Sequence, residues 1–348
     1  MTVQPLTDFE REAREQASVL AARTAPGWDT ARQAADLLSR GDVGYLVVAA
    51  RGTSDNAARY AQYLLGSDAR LLVALAAPWL YERDSPPRLA HGAVLAISQS
   101  GRSPDIAAVV SAARAQGRPA IAMTNDPSSP LAELADLVVP LLAGEERSVA
   151  ATKTYLASLH AIAQLAAALA PEPARVAWFD RLPEFVDTAV EEQFGARSRF
   201  DPLAEASLLT VVGRGLQFPT VHETALKVRE LSGIPAEAFS LPDLVHGPIA
   251  ALGPSGALWL ISTAGREQPG ADALAELSRD VGVRVVVSDH EELLAAADVR
   301  VTMPSGLPEW VAPLVAAIPA QAAALRLGEL RGVDIDRPHG LHKVTLTT

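Results

Sequence analysis

Residues 93–116 read AVLAISQSGRSPDIAAVVSAARAQ. Ala93 to Ile97 is apolar without alternation, as a strand buried on both faces must be. Ser98-Gln99-Ser100-Gly101-Arg102-Ser103 breaks that run with hydroxyls and a glycine. Ile106 to Gln116 then carries good helix formers. A strand, a tight hydroxyl-rich turn and a helix make one unit of an α/β sheet. Upstream the pattern recurs: Tyr45 to Ala50 reads as a strand, Arg51-Gly52-Thr53-Ser54 as the turn and Ala57 to Leu65 as a helix. Leu71 to Leu75, Ala120 to Thr124 and Leu137 to Pro140 read as further strands, and Val149 to Leu169 as a long helix. Thr7 and Glu10 have capping-box spacing, so Thr7 to Arg23 is expected to open the chain as a helix.

After Pro171 and Pro173 the pattern restarts. Strands are expected at Leu208 to Val212, Leu258 to Ser262 and Val283 to Val287, and a helix at Val311 to Leu327. Arg51 and Arg214 lie 163 apart (214 minus 51), and Ser98 and Ser262 lie 164 apart, as do Thr124 and Ser288. Nearly constant offsets between strand ends mean two copies of one α/β unit. The expected division is an N-terminal helix over 1–24, a first domain over 25–172, a helical linker over 173–198, a second domain over 199–332 and a tail over 333–348.

Composition narrows the chemistry. The chain has 348 residues, 49% of them hydrophobic, enough for two cores. Its 41 acidic and 30 basic residues give a net charge of -11, which argues against nucleic-acid binding. The absence of cysteine excludes disulfides and thiolate chemistry. The apolar run Leu156 to Ala170 includes His160 and Gln164 and is too short to span a bilayer. No signal-peptide layout occurs in Met1 to Arg14, so a cytoplasmic location is expected, with no membrane partner. The seven histidines lack metal-ligand spacing, and neither metal nor organic cofactor is expected.

In open α/β sheets ligands bind beyond the carboxyl ends of strands. Thr53 and Ser54, and Ser98, Gln99, Ser100 and Ser103, fall at two such ends. Hydroxyls, backbone N–H groups and a helix N-terminus can together hold a phosphate without lysine. Each loop alone is more simply a helix cap; two at neighbouring strand ends favour the phosphate. In the second copy Ser262-Thr-Ala-Gly265 only partly echoes these hydroxyls. Its distinctive segment is Gly213 to Glu230, in which Glu223, Lys227 and Glu230 share one helix face. Alone, they could be a solvated salt bridge.

Together the motifs resemble those of the sugar-isomerase (SIS) family. They are G-T-S, S-Q-S-G-x-S, Glu146-Arg-Ser-Val149-Ala150-Ala-Thr152-Lys153, the 213–230 segment, His246-Gly247-Pro248 and the tail Asp334-Ile-Asp336-Arg-Pro338-His-Gly-Leu341-His-Lys343. The likeness runs from about residue 9 to 348 and points to the isomerase half of glucosamine-6-phosphate synthase. Ala151 stands where that enzyme usually has serine, and His339-Gly340 makes the tail more like the family's stand-alone deaminases.

The resemblance implies two tandem flavodoxin-like domains, each a three-layer sandwich on a parallel sheet, with the tail folded over the site. Thr53, Ser54, Ser98, Gln99, Ser100 and Ser103 would hold a sugar phosphate, and the Val149-Ala150 backbone would line the sugar. His246 would open the ring, and Glu230 would carry a proton between C1 and C2. Lys343 would form a Schiff base, Lys227 would stabilise the enediolate, and Glu223 would orient it. The second copy would supply chemistry to one phosphosugar site per domain pair. In the family the histidine comes from a neighbouring subunit, so a homodimer with a shared site is implied. Without a glutamine-hydrolysing domain, deamination of glucosamine 6-phosphate is the expected direction. Ammonia-dependent synthesis, deglycation or isomerisation of a related sugar phosphate, and a non-catalytic phosphosugar sensor remain open.

Overall fold

The computed structural model describes residues 5–40, 42–263 and 276–343. The chain opens with α1 (Asp8–Arg14) and α2 (Gln16–Arg40). There follow β1 (Tyr45–Ala49), α3 (Thr53–Asp68), β2 (Leu72–Leu75), β3 (Gly92–Ser98), α4 (Pro104–Ala115), β4 (Ala120–Thr124), α5 (Pro130–Leu134) and β5 (Leu137–Pro140). The five strands form one parallel sheet in the order β2-β1-β3-β4-β5. Every residue of β3 and β4 is buried, as unbroken apolar runs require. Val47, Val94 and Ala96 pack against Ile106, Val109 and Val110 of α4. Removing each such branched side chain from water contributes about 1.5–3 kcal/mol.

Two long helices follow, α6 (Lys153–Leu169) and α7 (Pro173–Gly195), then β6 (Leu209–Gly213), α8 (Phe218–Ser232), β7 (Ala236–Ser240), α9 (Leu241–Val245), β8 (Ala257–Ser262), β9 (Val283–Ser288), α10 (Glu291–Ala295), β10 (Val299–Thr302) and α11 (Ala312–Leu330). The second sheet is also parallel, in the order β10-β9-β8-β6-β7. Read from its other edge, that order repeats the first sheet strand for strand. The expected pair of α/β sandwiches is therefore present.

The chain separates into two compact units. One comprises Glu15–Glu146, Ala151–Pro183 and His342–Thr348, and carries the first sheet. The other comprises Met1–Arg14, Arg147–Ala150 and Glu184–Leu341, and carries the second. No helix among the described residues is long and apolar enough to cross a membrane.

The opening helix differs from its expected extent. Instead of ending at Arg23, α2 continues through Pro26 to Arg40. Pro26 lacks an N–H and costs one helical hydrogen bond, but packing outweighs that loss. Leu20, Arg23, Gly27, Ala31, Ala34 and Leu38 are all buried. Gly27 is needed there, because a Cβ would stand 2.3 Å from Gln164 Oε1 of α6.

Beside it Arg23 is completely buried. Its Nε donates to the Leu141 carbonyl at 3.2 Å, and its Nη1 to Gln164 Oε1 at 3.0 Å and to His160 Nδ1. Burial pushes the Arg23 guanidinium down to about 9, so it remains charged at neutral pH. Burial, then the charge of Arg23, holds His160 well below the ordinary histidine value. A neutral ring with Nδ1 as acceptor carries its proton on Nε2, where Thr24 Oγ1 lies at 3.4 Å.

The edge strands β7 and β10 are absent from the sequence expectations, being short and mixed in polarity. The repeat offset could have located them: Leu72 plus 164 falls on Ala236, the first residue of β7, and Leu137 plus 164 falls on Val301, within β10.

Candidate active site

In the first unit β2 and β3 flank β1 on opposite sides, so the winding reverses at β1. The crevice beyond β1 and β3 is where such a sheet takes a ligand. Both hydroxyl loops border it. Gly52, with φ 55° and ψ −130°, makes a turn that suits glycine, and Thr53 and Ser54 begin α3 directly. After β3, Ser98 Oγ accepts from Gly101 N at 3.1 Å, and Ser100 Oγ accepts from Arg102 N at 3.3 Å. The Gln99 carbonyl accepts from Asn125 N at 3.1 Å.

Side-chain capping does not account for Ser103. Ser129 caps α5 and Ser240 caps α9 through their side chains. By contrast, Ser103 at the start of α4 makes no side-chain cap bond, and α3 begins after a glycine. Two uncapped N-termini with hydroxyls alongside suit an anion. A further pair spans the loops: Arg51 Nε donates to Asp105 Oδ2 at 2.7 Å, with Asp105 buried in the first turn of α4.

Gly101 fixes the second loop with φ 62°. A Cβ there would lie 2.0 Å from Ser129 Oγ and 2.4 Å from Ser129 Cβ. Gly101→Ala is expected to lose more than the ~1–2 kcal/mol of a left-handed alanine, because the clash adds to it. Urea unfolding measures the loss; a midpoint equal to the parent's would contradict it.

The same unit holds Lys343. Its Nζ donates to Glu146 Oε2 at 2.8 Å, with the Glu146 side chain fully buried and that of Lys343 23% exposed. Glu146 also accepts from Thr152 N, Thr154 N and Thr154 Oγ1, at 3.0, 3.1 and 2.7 Å. Burial opposes ionisation of this carboxyl. The Lys343 charge and the hydrogen bonds from Lys343 and Thr154 outweigh it and hold Glu146 below the usual carboxylate range. In the sequence Glu146 is only the first residue of a motif; its clue is the Thr152 and Thr154 that follow. Val344 to Thr348, and the Ala264-Gly265 end of the second-copy echo, lie outside the described residues.

In the second unit α8 gathers three expected residues on one face. Lys227 is completely buried, with Nζ 3.4 Å from Glu223 Oε1 and hydrogen-bonded to Glu230 Oε2. Glu223 is 2% exposed and Glu230 22%. Burial alone would lower Lys227, but the charges of Glu223 and Glu230 raise it above the ordinary lysine value. The helix forms because Pro219 pre-sets its first turn and Gly233 ends it in the left-handed conformation. Val221, Val228 and Leu231 turn into the core.

His246 follows α9, is exposed, and makes no side-chain hydrogen bond among the described residues. The structure therefore does not join it to the α8 cluster. Val149 is half-buried and Ala150 buried, after a turn whose Arg147 and Ser148 N–H groups are held by Glu12 of α1. Glu12 has no role in the sequence expectations. Beyond the strand ends of the second sheet, Gln217 Nε2 donates to Thr263 Oγ1 at 2.7 Å. No group of acidic and histidine side chains arranged for a metal occurs among the described residues.

Comparison with known proteins agrees with this architecture. The SIS domain family matches at residues 42–168 and again at 203–327. The chain is 34% identical over 260 residues to a glutamine–fructose-6-phosphate aminotransferase (isomerizing) of Thermococcus kodakarensis, covering 72% of this chain and 43% of that protein. It is 31% identical to the Zymomonas mobilis enzyme of the same name, covering 86% and 51%. The chain thus spans about half the length of the curated relatives it matches. Among solved structures, the C-terminal domain of the Francisella tularensis glucosamine-fructose-6-phosphate aminotransferase superposes with a TM-score of 0.85 at 22% identity, covering 97% of this chain and 100% of that one. A glucosamine-6-phosphate deaminase from Thermotoga maritima does so at 0.78 and 19%, covering 98% and 100%. With a matching domain in each half, the same strand order in each sheet and relatives above 30% identity, the chain belongs to the SIS domain family.

Proposed function

We propose that the chain deaminates glucosamine 6-phosphate, giving fructose 6-phosphate and ammonia with uptake of one water. The observation that carries this reading is the Lys343–Glu146 pair, which holds a primary amine in the unit that bears both hydroxyl loops. The two lysines differ in the way the chemistry needs. Lys227, raised by two carboxylates, stays an ammonium and suits charge stabilisation rather than attack. Lys343, paired with Glu146 and 23% exposed, suits nucleophilic work.

Thr53, Ser54, Ser98, Gln99, Ser100 and Ser103 hold the phosphate, with Val149 and Ala150 along the sugar. His246, exposed enough to serve a neighbouring copy in a homodimer, opens the ring. Glu230 removes the C2 proton of the aldehyde form and returns it to C1 while one N–H proton of the amine passes to O1, leaving a C1 hydroxyl and an imine at C2. Lys227 faces the developing negative charge and Glu223 orients Lys227. The Lys343 amine adds to the imine carbon and expels ammonia. Water then cleaves the resulting Schiff base, freeing the ketose and restoring the lysine.

Ammonia release from glucosamine 6-phosphate, read with a coupled dehydrogenase, tests the proposal. Release above a Lys343→Ala control is expected. Silence while the sugar phosphate still raises the melting temperature would replace it with a sensor or deglycase.

A further inference from the structure

The unit built on the second sheet contains a cavity that none of these residues lines. Its volume is about 210 Å³, and α7, the carboxyl end of β10 and α11 bound it. Pockets for drug-sized ligands run to roughly 300–1,000 Å³, so this one suits a small molecule. It lies just beyond a strand's carboxyl end, as ligand sites of parallel sheets do.

Its wall leaves hydrogen-bond acceptors unmet. Gln193 is 2% exposed, and its Oε1 is buried with no hydrogen-bond partner among the described residues. A buried acceptor left unmet is destabilising, and native proteins leave few. Pro319 lies inside α11 and has no N–H, so the Val315 carbonyl lacks its usual helical donor. Both residues line the cavity, as do Thr188 and Thr302. Glu192 lies in the wall too, half exposed and loosely paired with Arg199 at 3.6 Å. No lysine or arginine contributes to the lining, so an anion has no counter-charge there.

We propose that this cavity binds a small hydroxylated amine as its ammonium ion. The N–H groups meet Gln193 Oε1 and the Val315 carbonyl, Glu192 balances the charge, and Thr188 and Thr302 take the hydroxyls. The net charge of -11 favours the approach of such a cation. The proposal stands apart from the phosphosugar chemistry and does not depend on it.

Calorimetry and thermal melts on the full chain test it, with serinol and ethanolamine as probes. Glycerol and ethylene glycol serve as uncharged counterparts, at matched ionic strength. Saturable binding of the amines at millimolar concentration is expected, and none by the diols. Gln193→Leu should weaken amine binding at least tenfold. Free of ligand it should melt at or above the parent, since an apolar side chain of similar shape replaces an unmet acceptor. Thr302→Val should weaken binding severalfold and decides the matter if Gln193→Leu does not fold. Equal behaviour of amines and diols, or undiminished amine binding by either folded variant, would overturn the proposal.

Discussion

Lys227→Met is expected to lower the unfolding free energy by about 3–5 kcal/mol, the usual result of removing one partner from a buried ion pair. The loss comes from what stays behind: Glu223 is only 2% exposed, and Lys227 Nζ stands 3.4 Å from its carboxylate. Urea midpoints at neutral pH measure it. Adding Glu223→Gln should restore part of the stability, since an amide needs no counter-ion. The pH dependence follows in sign. In the parent the folded lysine value lies above the ordinary one, about 10.4. Its stabilisation is therefore fully present below that ordinary value and disappears as pH rises through the folded value. In the variant, burial drives the Glu223 carboxyl upward. The gap between variant and parent should then narrow as pH falls from 7 toward 5. A gap that is small and independent of pH would mean the three charges contribute little to folding.

Lys343→Ala should reduce ammonia release at least about a hundredfold, the lower end of what a positioned catalytic group supplies. It should also change acid stability. In the parent, Glu146 lies below its ordinary value, so its contribution is present above that value and vanishes as pH falls through the folded one. Without Lys343, burial has less opposing it and the carboxyl moves upward. Acid unfolding, followed by circular dichroism, should begin at higher pH. Lys343→Arg separates the two effects: a guanidinium keeps the charge beside Glu146 but does not form the Schiff base. Parent-like acid stability with lost turnover is expected. Retained turnover in that variant would remove Lys343 from its proposed nucleophilic role.

Much of this was legible in the sequence because the signals are local. Unbroken apolar runs such as Ala93 to Ile97 mark strands buried on both faces, and the 164-residue offset marks the repeat. The spacing of Glu223, Lys227 and Glu230 gave one helix face, because three, four and seven residues apart is a helical period. The pairing of Glu146 with Lys343 and the role of Glu12 were illegible for the opposite reason. Their partners, Lys343 and the Arg147–Ser148 backbone, lie 197 and 135–136 positions away. The true length of α2 was hidden by Pro26, whose local cost is offset by packing that no window of neighbouring residues reveals.

The buried guanidinium of Arg23 has a mechanical consequence. Around it stand the Leu141 carbonyl, Gln164 Oε1 and the His160 ring, with no carboxylate among its hydrogen-bond partners in the described residues. Sliding α2 along α6 by a single turn, about 5.4 Å, would strip the cation of all three acceptors at once. Gly27 would meanwhile be carried away from Gln164, whose Oε1 would stand 2.3 Å from a Cβ at that position. The two helices therefore engage like a key with one cut, and an alanine-rich seam that could otherwise settle at several offsets has a single register.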